Sequence, residues 1–263
     1  MTPALEINNL TYRYPDGHLA LDAVSFSLTP GECVGLIGPN GAGKSTLLLH
    51  LNGVLPADLP RTDSPIVRVA GLDLSPKNLH EIRRHVGLLF QDPDDQLFCP
   101  TVFDDVAFGP RQLDLTENEV AARVAQALHD VGLIGFEDRA PSRLSTGEKR
   151  RACLAGVLAC QPSILVLDEP TSGLDPRGRR ELKTLLRSIP VTKIIATHDL
   201  ELVVELCPRT LLLDRGRIVA DSPTVPLLSD EPRMLDHGLE RPHILLHPHP
   251  HSQLPFLPAI KDQ

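Results

Sequence analysis

Residues 38–46, Gly38-Pro39-Asn40-Gly41-Ala42-Gly43-Lys44-Ser45-Thr46, fit the pattern G-x-x-x-x-G-K-[ST] directly after the apolar run Cys33-Val34-Gly35-Leu36-Ile37. The run reads as a buried parallel strand and residues 45–51 read as a helix, so the glycine-rich turn joins a strand to a helix N-terminus. Glycines let the backbone curl until several N–H groups aim at one anion, and the helix end adds partial positive charge. Lys44 is then placed to reach the β- and γ-phosphates of a nucleoside triphosphate, and the Ser45 hydroxyl to hold Mg²⁺. Such a loop belongs at the edge of a parallel sheet.

The rest of the chain supplies that sheet. Strand-like runs at residues 5–10, 25–28, 33–37, 66–69, 86–90, 164–167, 193–196 and 210–214 alternate with helical stretches, which predicts an α/β fold with a mostly parallel central sheet. Residues 92–161 break the alternation. There, 117–131 and 147–160 are amphipathic and helical with no convincing strand between them, as in a helical insertion. Residues 211–219 read as a hairpin turning at Arg215-Gly216. Prolines at 242, 248, 250, 255 and 258 argue against a long helix and for an extended tail.

Composition narrows the class. A chain of 263 residues can bury one sizeable core, or a core with a smaller appended unit. No apolar stretch approaches the roughly 18 residues of a membrane span, and residues 1–9 lack the basic start and apolar core of a signal peptide. The expectation is a cytoplasmic chain. Its net charge of -8 argues against nucleic-acid binding and against unaided attachment to anionic lipid, so contact with a membrane would run through a protein partner. The five cysteines, Cys33, Cys99, Cys153, Cys160 and Cys207, lack metal-ligand spacing and read as reduced packing residues.

Ile164-Leu165-Val166-Leu167-Asp168-Glu169 is an apolar strand ending in two carboxylates. Successive strand residues point to opposite sides, which predicts separate tasks: Asp168 in the Mg²⁺ shell, Glu169 polarising the attacking water. Upstream, Leu144-Ser145-Thr146-Gly147-Glu148 carries the spacing of a capping box, with Ser145 opening a helix and Glu148 closing back on it.

On these motifs, in this order, the chain resembles the ABC transporter ATPase family over most of residues 3–222. The family signature L-S-G-G-Q stands here as Leu144 to Glu148, with Thr146 for a glycine and Glu148 for the glutamine, departures that bear on closeness of approach and local charge. The resemblance implies an ABC-type P-loop domain with a RecA-like core, an N-terminal antiparallel β subdomain and a helical insertion at about 92–162. A C-terminal extension, 223–263, would follow. It also implies that Ser145 and Gly147 face the ATP of a second subunit, that Gln91 is the Q-loop glutamine, and that Ser172-Gly173-Leu174-Asp175 is the D-loop. His198, in Thr197-His198-Asp199, would be the switch histidine. Tyr14, or alternatively Tyr12, resembles the aromatic that stacks on adenine.

Residues 90–98, Phe90-Gln91-Asp92-Pro93-Asp94-Asp95-Gln96-Leu97-Phe98, followed by 101–110, are similar to the ATPase subunits of energy-coupling factor transporters, especially cobalt and nickel importers. An acidic turn followed by Leu97, Phe98, Val102, Phe103, Val106 and Phe108 suits a groove for helices of an integral membrane coupling subunit, itself joined to a substrate-binding membrane subunit. The same side chains would also serve to glue the insertion to the sheet. At the end of the chain, His247, His249 and His251 share one side of an extended strand, a set suited to Ni²⁺, Co²⁺, Cu²⁺ or Zn²⁺ or else a histidine–proline tail that holds no metal. The expected protein is an ATP- and Mg²⁺-dependent ATPase. It would work as a homodimer, or paired with a second ATPase, energising cobalt or nickel import. Vitamin uptake is the alternative substrate class, and a soluble non-transport ATPase a more distant one.

Overall fold

The first strand-like runs alternate apolar and polar residues and need cover on one face, whereas the later ones are apolar throughout and need it on both. The computed structural model, which describes residues 2–56 and 66–245, meets these two needs with two sheets. Strands β1 (Leu5–Arg13) and β2 (Leu19–Leu28) pair antiparallel, with Leu5 opposite Leu28. After β3 (Cys33–Ile37) and helix α1 (Lys44–Leu51), strand β4 (Val67–Val69) returns to the other edge of β1, and β5 (Leu72–Asp73) completes a four-stranded sheet ordered β2-β1-β4-β5. This is the antiparallel subdomain expected from the sequence.

Helix α2 (Leu79–His85) leads into β6 (Val86–Leu89). Three helices follow, α3 (Val102–Phe108), α4 (Glu117–Asp130) and α5 (Thr146–Ala159), with no strand among the described residues before β7 (Ile164–Asp168). Regular alternation then resumes with α6 (Pro176–Ser188), β8 (Thr192–Ala196), α7 (Leu200–Leu206), β9 (Arg209–Asp214) and β10 (Arg217–Pro223). The second sheet has six strands ordered β10-β9-β3-β8-β7-β6, parallel except for the β9–β10 hairpin.

Strand period decides how the core divides. Leu165 and Leu167 of β7 face a cluster built with α3, α4, α5 and α7, while Ile164 and Val166 face the antiparallel sheet and α1. Parallel pairing also aligns the strand ends: Leu36 lies opposite Ala196, Ala196 opposite Asp168, and Leu167 opposite Leu89. The segments that follow these strands therefore leave one edge of the sheet together, where ligands of open α/β sheets bind.

Within the expected helical insertion, the apolar run at 101–108 divides between its two readings: it forms α3, because Thr101 accepts a hydrogen bond from Asp104 N (3.1 Å), and Val102 and Val106, one turn apart, enter the core and glue the insertion to the sheet rather than dock a partner. Residues 243–245 were read as extended, yet His243–Leu245 makes a single 3₁₀ turn closed by Leu245 N to Pro242 O (3.0 Å). One proline at the entrance of a turn loses no hydrogen bond the turn needs. Ahead of it, α8 (Thr224–Ser229) and α9 (Glu231–Asp236) bury Leu227, Leu228 and Met234 in the α5 cluster. His247, His249 and His251 lie outside the described residues.

Helix α4 presents Val120, Val124, Ala127 and Leu128 to the core and is closed by a capping box between Thr116 and Glu119. Thr116→Ala should lower the unfolding free energy by about 1 kcal/mol, seen as a shifted denaturation midpoint with unchanged slope.

Candidate functional site

The loop between β3 and α1 is shaped by close backbone approach. Gly43 caps α1 at φ +106°, and a Cβ there would stand 2.5 Å from the carbonyl oxygen of Ala20, so a side chain is excluded twice over. Having no side chain to bond the first turn, Gly43 leaves the leading N–H groups of α1 available to an anion. Lys44 Nζ bends back across the loop and donates to the carbonyls of Gly38 (2.7 Å) and Pro39 (3.0 Å). Burial lowers its pKa, while the carboxylates of Glu169 and Asp168 oppose that shift.

Asp168 ends β7 almost fully buried. Burial raises its pKa, the nearby Glu169 adds to the rise, and the Ser45 hydroxyl, Lys44 and Arg150 work against it. Its Oδ1 is buried without a protein partner, an unmet polar atom at the bottom of the cleft. Glu169 does not continue the strand, as alternation alone had suggested. It turns aside at φ +46°, in the left-handed region, with its N–H bonded to Ala196 O (2.8 Å). Its Oε2 accepts from the Thr197 hydroxyl (2.9 Å) and lies 2.8 Å from His198 Nδ1, and its Oε1 accepts from His198 N (3.0 Å). Ordered strand ends thus place the carboxylate against the histidine from β8.

These residues share one cleft of about 600 Å³ with Asn40 to Thr46, Gln91, Tyr14 and His18. The Tyr14 hydroxyl bonds Thr46 Oγ1 (3.0 Å), and its ring runs nearly parallel to that of His18, centroids 6.5 Å apart and planes at 19°. Tyr12 instead packs its edge on His50 of α1 (4.6 Å). Of the two tyrosines considered, Tyr14 is the one that lines the cleft.

Ser145, Thr146, Gly147 and Glu148 line a different cavity, of about 320 Å³, with Gly173, Leu174 and Asp175. The capping box is present: Glu148 N donates to Ser145 Oγ (3.4 Å), and Glu148 Oε2 accepts from Ser145 N and Oγ (both 2.7 Å). Those hydrogen bonds hold the Glu148 carboxyl below its usual pKa. Asp175 caps α6 through Gly178 N (2.7 Å), and Ser172 offers its carbonyl to Arg150 (3.4 Å). The structure therefore assembles Gly38 to Thr46, Gln91, Asp168, Glu169 and His198, and keeps the 145–148 and 173–175 segments apart from them.

The apolar run after the acidic turn divides by helical period. Val102 and Val106 are fully buried, and Phe103 is half-buried beneath Arg111, whereas Phe98 and Phe108 are 64% and 49% exposed and meet edge to face at 5.0 Å. The exposed pair, with Leu97, Gln96 and Leu88, lines a surface groove a few residues from Gln91. Among the described residues no cluster of three or more His, Cys, Asp and Glu side chains forms a metal site. Sequence reasoning passed over His18, which only its place in a Pro15-Asp16-Gly17 turn marks, and Arg150, which nothing in the run Lys149-Arg150-Arg151 distinguishes from its neighbours.

Residues 21–172 match the family model described as ABC transporter. The chain is 53% identical to an ABC transporter ATP-binding protein of Streptomyces coelicolor, across 91% of this chain and 90% of that one. It is 46% identical to the energy-coupling factor transporter ATP-binding protein EcfA of Carboxydothermus hydrogenoformans, across 92% and 88% of the two chains. A solved structure, cbiO1 from Clostridium perfringens, described as part of the ABC transporter complex cbiONQ, superposes with a TM-score of 0.76 at 34% identity, covering 90% and 94%.

A buried carboxyl with a raised pKa weakens the fold at neutral pH, and that cost fades as pH falls toward the ordinary carboxylate value. Asp168→Asn should therefore raise the Tm of the nucleotide-free chain at pH 7 by a few degrees, since about 1 kcal/mol moves Tm by roughly 2–4 °C at this size. Thermal unfolding in EDTA checks this. The variant's advantage should shrink on acidification.

Proposed function

Since this chain belongs to the ABC transporter family and is an ATP-binding, ATP-hydrolysing subunit, we propose that it energises an energy-coupling factor importer, with Co²⁺ or Ni²⁺ as cargo. The observation that carries the reading is the exposed Phe98–Phe108 pair in a groove beside the loop that bears Gln91. Two exposed aromatic side chains in a largely apolar groove suit a helix of a membrane coupling subunit, and that subunit would hold the substrate-binding partner. Relatives whose names place them in energy-coupling factor and cbiONQ complexes support the same branch. No described helix is long and apolar enough to cross a membrane, so the chain would sit on the cytoplasmic face through these partners.

In the cleft, the N–H groups of the 38–46 loop and Lys44 would grip the phosphates, and Tyr14 would stack on the base. The unpartnered Oδ1 of Asp168, the Ser45 hydroxyl and Gln91 form a hard-oxygen donor set that fits Mg²⁺. Bound there, Mg²⁺ would offset charge on the β- and γ-phosphates. Glu169 is the base for the attacking water. Thr197 and the His198 backbone fix its orientation, and the His198 ring, two-thirds exposed and set against Glu169 through Nδ1, would reach the γ-phosphate with its other nitrogen.

One chain does not complete this site, because Ser145 and Gly147 open into a separate cavity. A second copy turned head to tail would bring its Ser145, Gly147 and Asp175 onto the first copy's nucleotide, and each chain carries both halves. The proposed assembly is a homodimer holding two ATP molecules, which needs no second type of ATPase. Hydrolysis would loosen the pair, and the helical insertion would carry that motion to the groove.

Glu169→Gln should leave ATP affinity nearly unchanged and cut turnover by about 10²- to 10⁴-fold, measured as phosphate release against nucleotide binding. Unchanged turnover would remove Glu169 from the role of base. Affinity capture of this variant from gently solubilised native membranes with Mg-ATP should recover an integral membrane coupler with a metal-uptake subunit. Several vitamin-binding subunits would instead assign the chain to shared vitamin uptake. Phe98→Asp should abolish the capture while the isolated chain keeps its ATPase activity.

A further inference from the structure

Arg150, on the second turn of α5, is 2% exposed and heads the large side chains that are fully buried. Among the described residues no carboxylate lies within ion-pair distance of it. Its charge is met by backbone instead: Nη1 donates to Phe90 O (2.8 Å), and Nη2 donates to Gln91 O (2.7 Å) and Ser172 O (3.4 Å), while Nε has no protein partner. A buried guanidinium is costly, and a leucine or methionine of similar volume would fill the space with less loss of solvation. What an apolar side chain lacks is the rigid fork of donors that can hold three carbonyls from two loops at fixed angles.

Those loops matter to one another. The first carries Gln91 into the cleft and runs on to the exposed groove. The second begins the Ser172 to Asp175 segment beside the cavity of Ser145 and Gly147. The same helix secures the first loop twice more, through Lys149 Nζ to Asp94 Oδ1 (2.6 Å) and Cys153 Sγ to Pro93 O (3.6 Å), and reaches α6 through Arg151 Nη1 to Glu181 Oε2 (3.0 Å). Arg150 is the only one of these contacts that touches both loops.

We propose that Arg150 is a positioning residue for ATP hydrolysis, tying the Gln91 loop and the Ser172–Asp175 loop to helix α5 so that all three move as one body. The inference rests on the proposed role of Gln91 in the cleft. Displacement of Gln91 by about 1 Å is enough to cost on the order of 10²-fold in rate, whereas the phosphate-gripping loop at 38–46 is held by other contacts and should bind as before.

The test uses the full chain with Arg150→Gln, Arg150→Lys and Gln91→Ala. Arg150→Gln should lower kcat by about 10- to 100-fold with little change in affinity for a non-hydrolysable ATP analogue. Arg150→Lys, which keeps the charge and reaches fewer carbonyls, should recover part of the loss. Amide exchange should quicken in residues 90–94 and 171–174 of the Gln variant while α4 stays protected. Normal kcat in a folded Gln variant would overturn the proposal, as would affinity falling in step with rate. Failure of both variants to fold would make Arg150 a folding residue and overturn it too. If Gln91→Ala alone is silent, the reading of the cleft fails. If Gln91→Ala is slow and the Arg150 variants are normal, only the coupling fails.

Discussion

Parallel register between β3, β8, β7 and β6 is the constraint from which the site follows. With Leu36, Ala196, Asp168, Leu167 and Leu89 in lateral register, the segments after these strands have to emerge at one edge. Residues more than a hundred positions apart meet there without any one of them being selected for contact with the rest. The pairing of Glu169 with His198 shows this most directly. The Glu169 N–H takes the Ala196 carbonyl at the end of β8, so one backbone hydrogen bond sets the carboxylate beside the histidine two residues further along. Small movements of β8 against β7 would separate them.

The same edge gathers charge that the fold alone would not favour. Lys44, Asp168 and Glu169 are each buried or nearly so, and Arg150 is more deeply buried than any of them. Asp168 retains an unpartnered oxygen and Arg150 an unpartnered Nε, both of which cost stability in a low-dielectric interior. Nearby opposite charges soften that cost without removing it. Native proteins keep such groups where they act, and the apolar layers on both faces of the sheet supply the stability that the edge gives up.

Legibility from sequence followed physical kind. The central strands were readable because they are apolar runs with few alternatives, and β3 spans residues 33–37 as expected. Helix α5 was readable from its cap, since a serine and a glutamate at that spacing have few other uses. Helix α3 was legible only as part of a helical insertion, because seven residues offer too little period to separate docking side chains from gluing ones, and burial assigns Val102 and Val106 to the core. The choice between Tyr12 and Tyr14 also needed three dimensions, since both lie in β1 or at its end and only the hairpin decides which ring faces the cleft. Arg150 was invisible for a deeper reason. Its value lies in carbonyl groups, which every residue has and no sequence displays.

Taken together, the split of the site and the placement of the groove limit how this molecule can work. The cleft of the 38–46 loop and the cavity of Ser145 lie on different parts of one chain, and in the proposed dimer closing the complete site would move α5 relative to the partner's α1. Helix α5 also grips the segment from Phe90 to Asp94, which runs on to the exposed Phe98. Held at one end by the opposing nucleotide, as proposed, and along its side by that segment, the helix would have little independent freedom. On that reading, whatever sits in the groove would move when the dimer closes, and force applied at the groove would in turn change the fit of Gln91 and Ser145 around ATP. Coupling in both directions is a consequence of linkage between one body and two contacts.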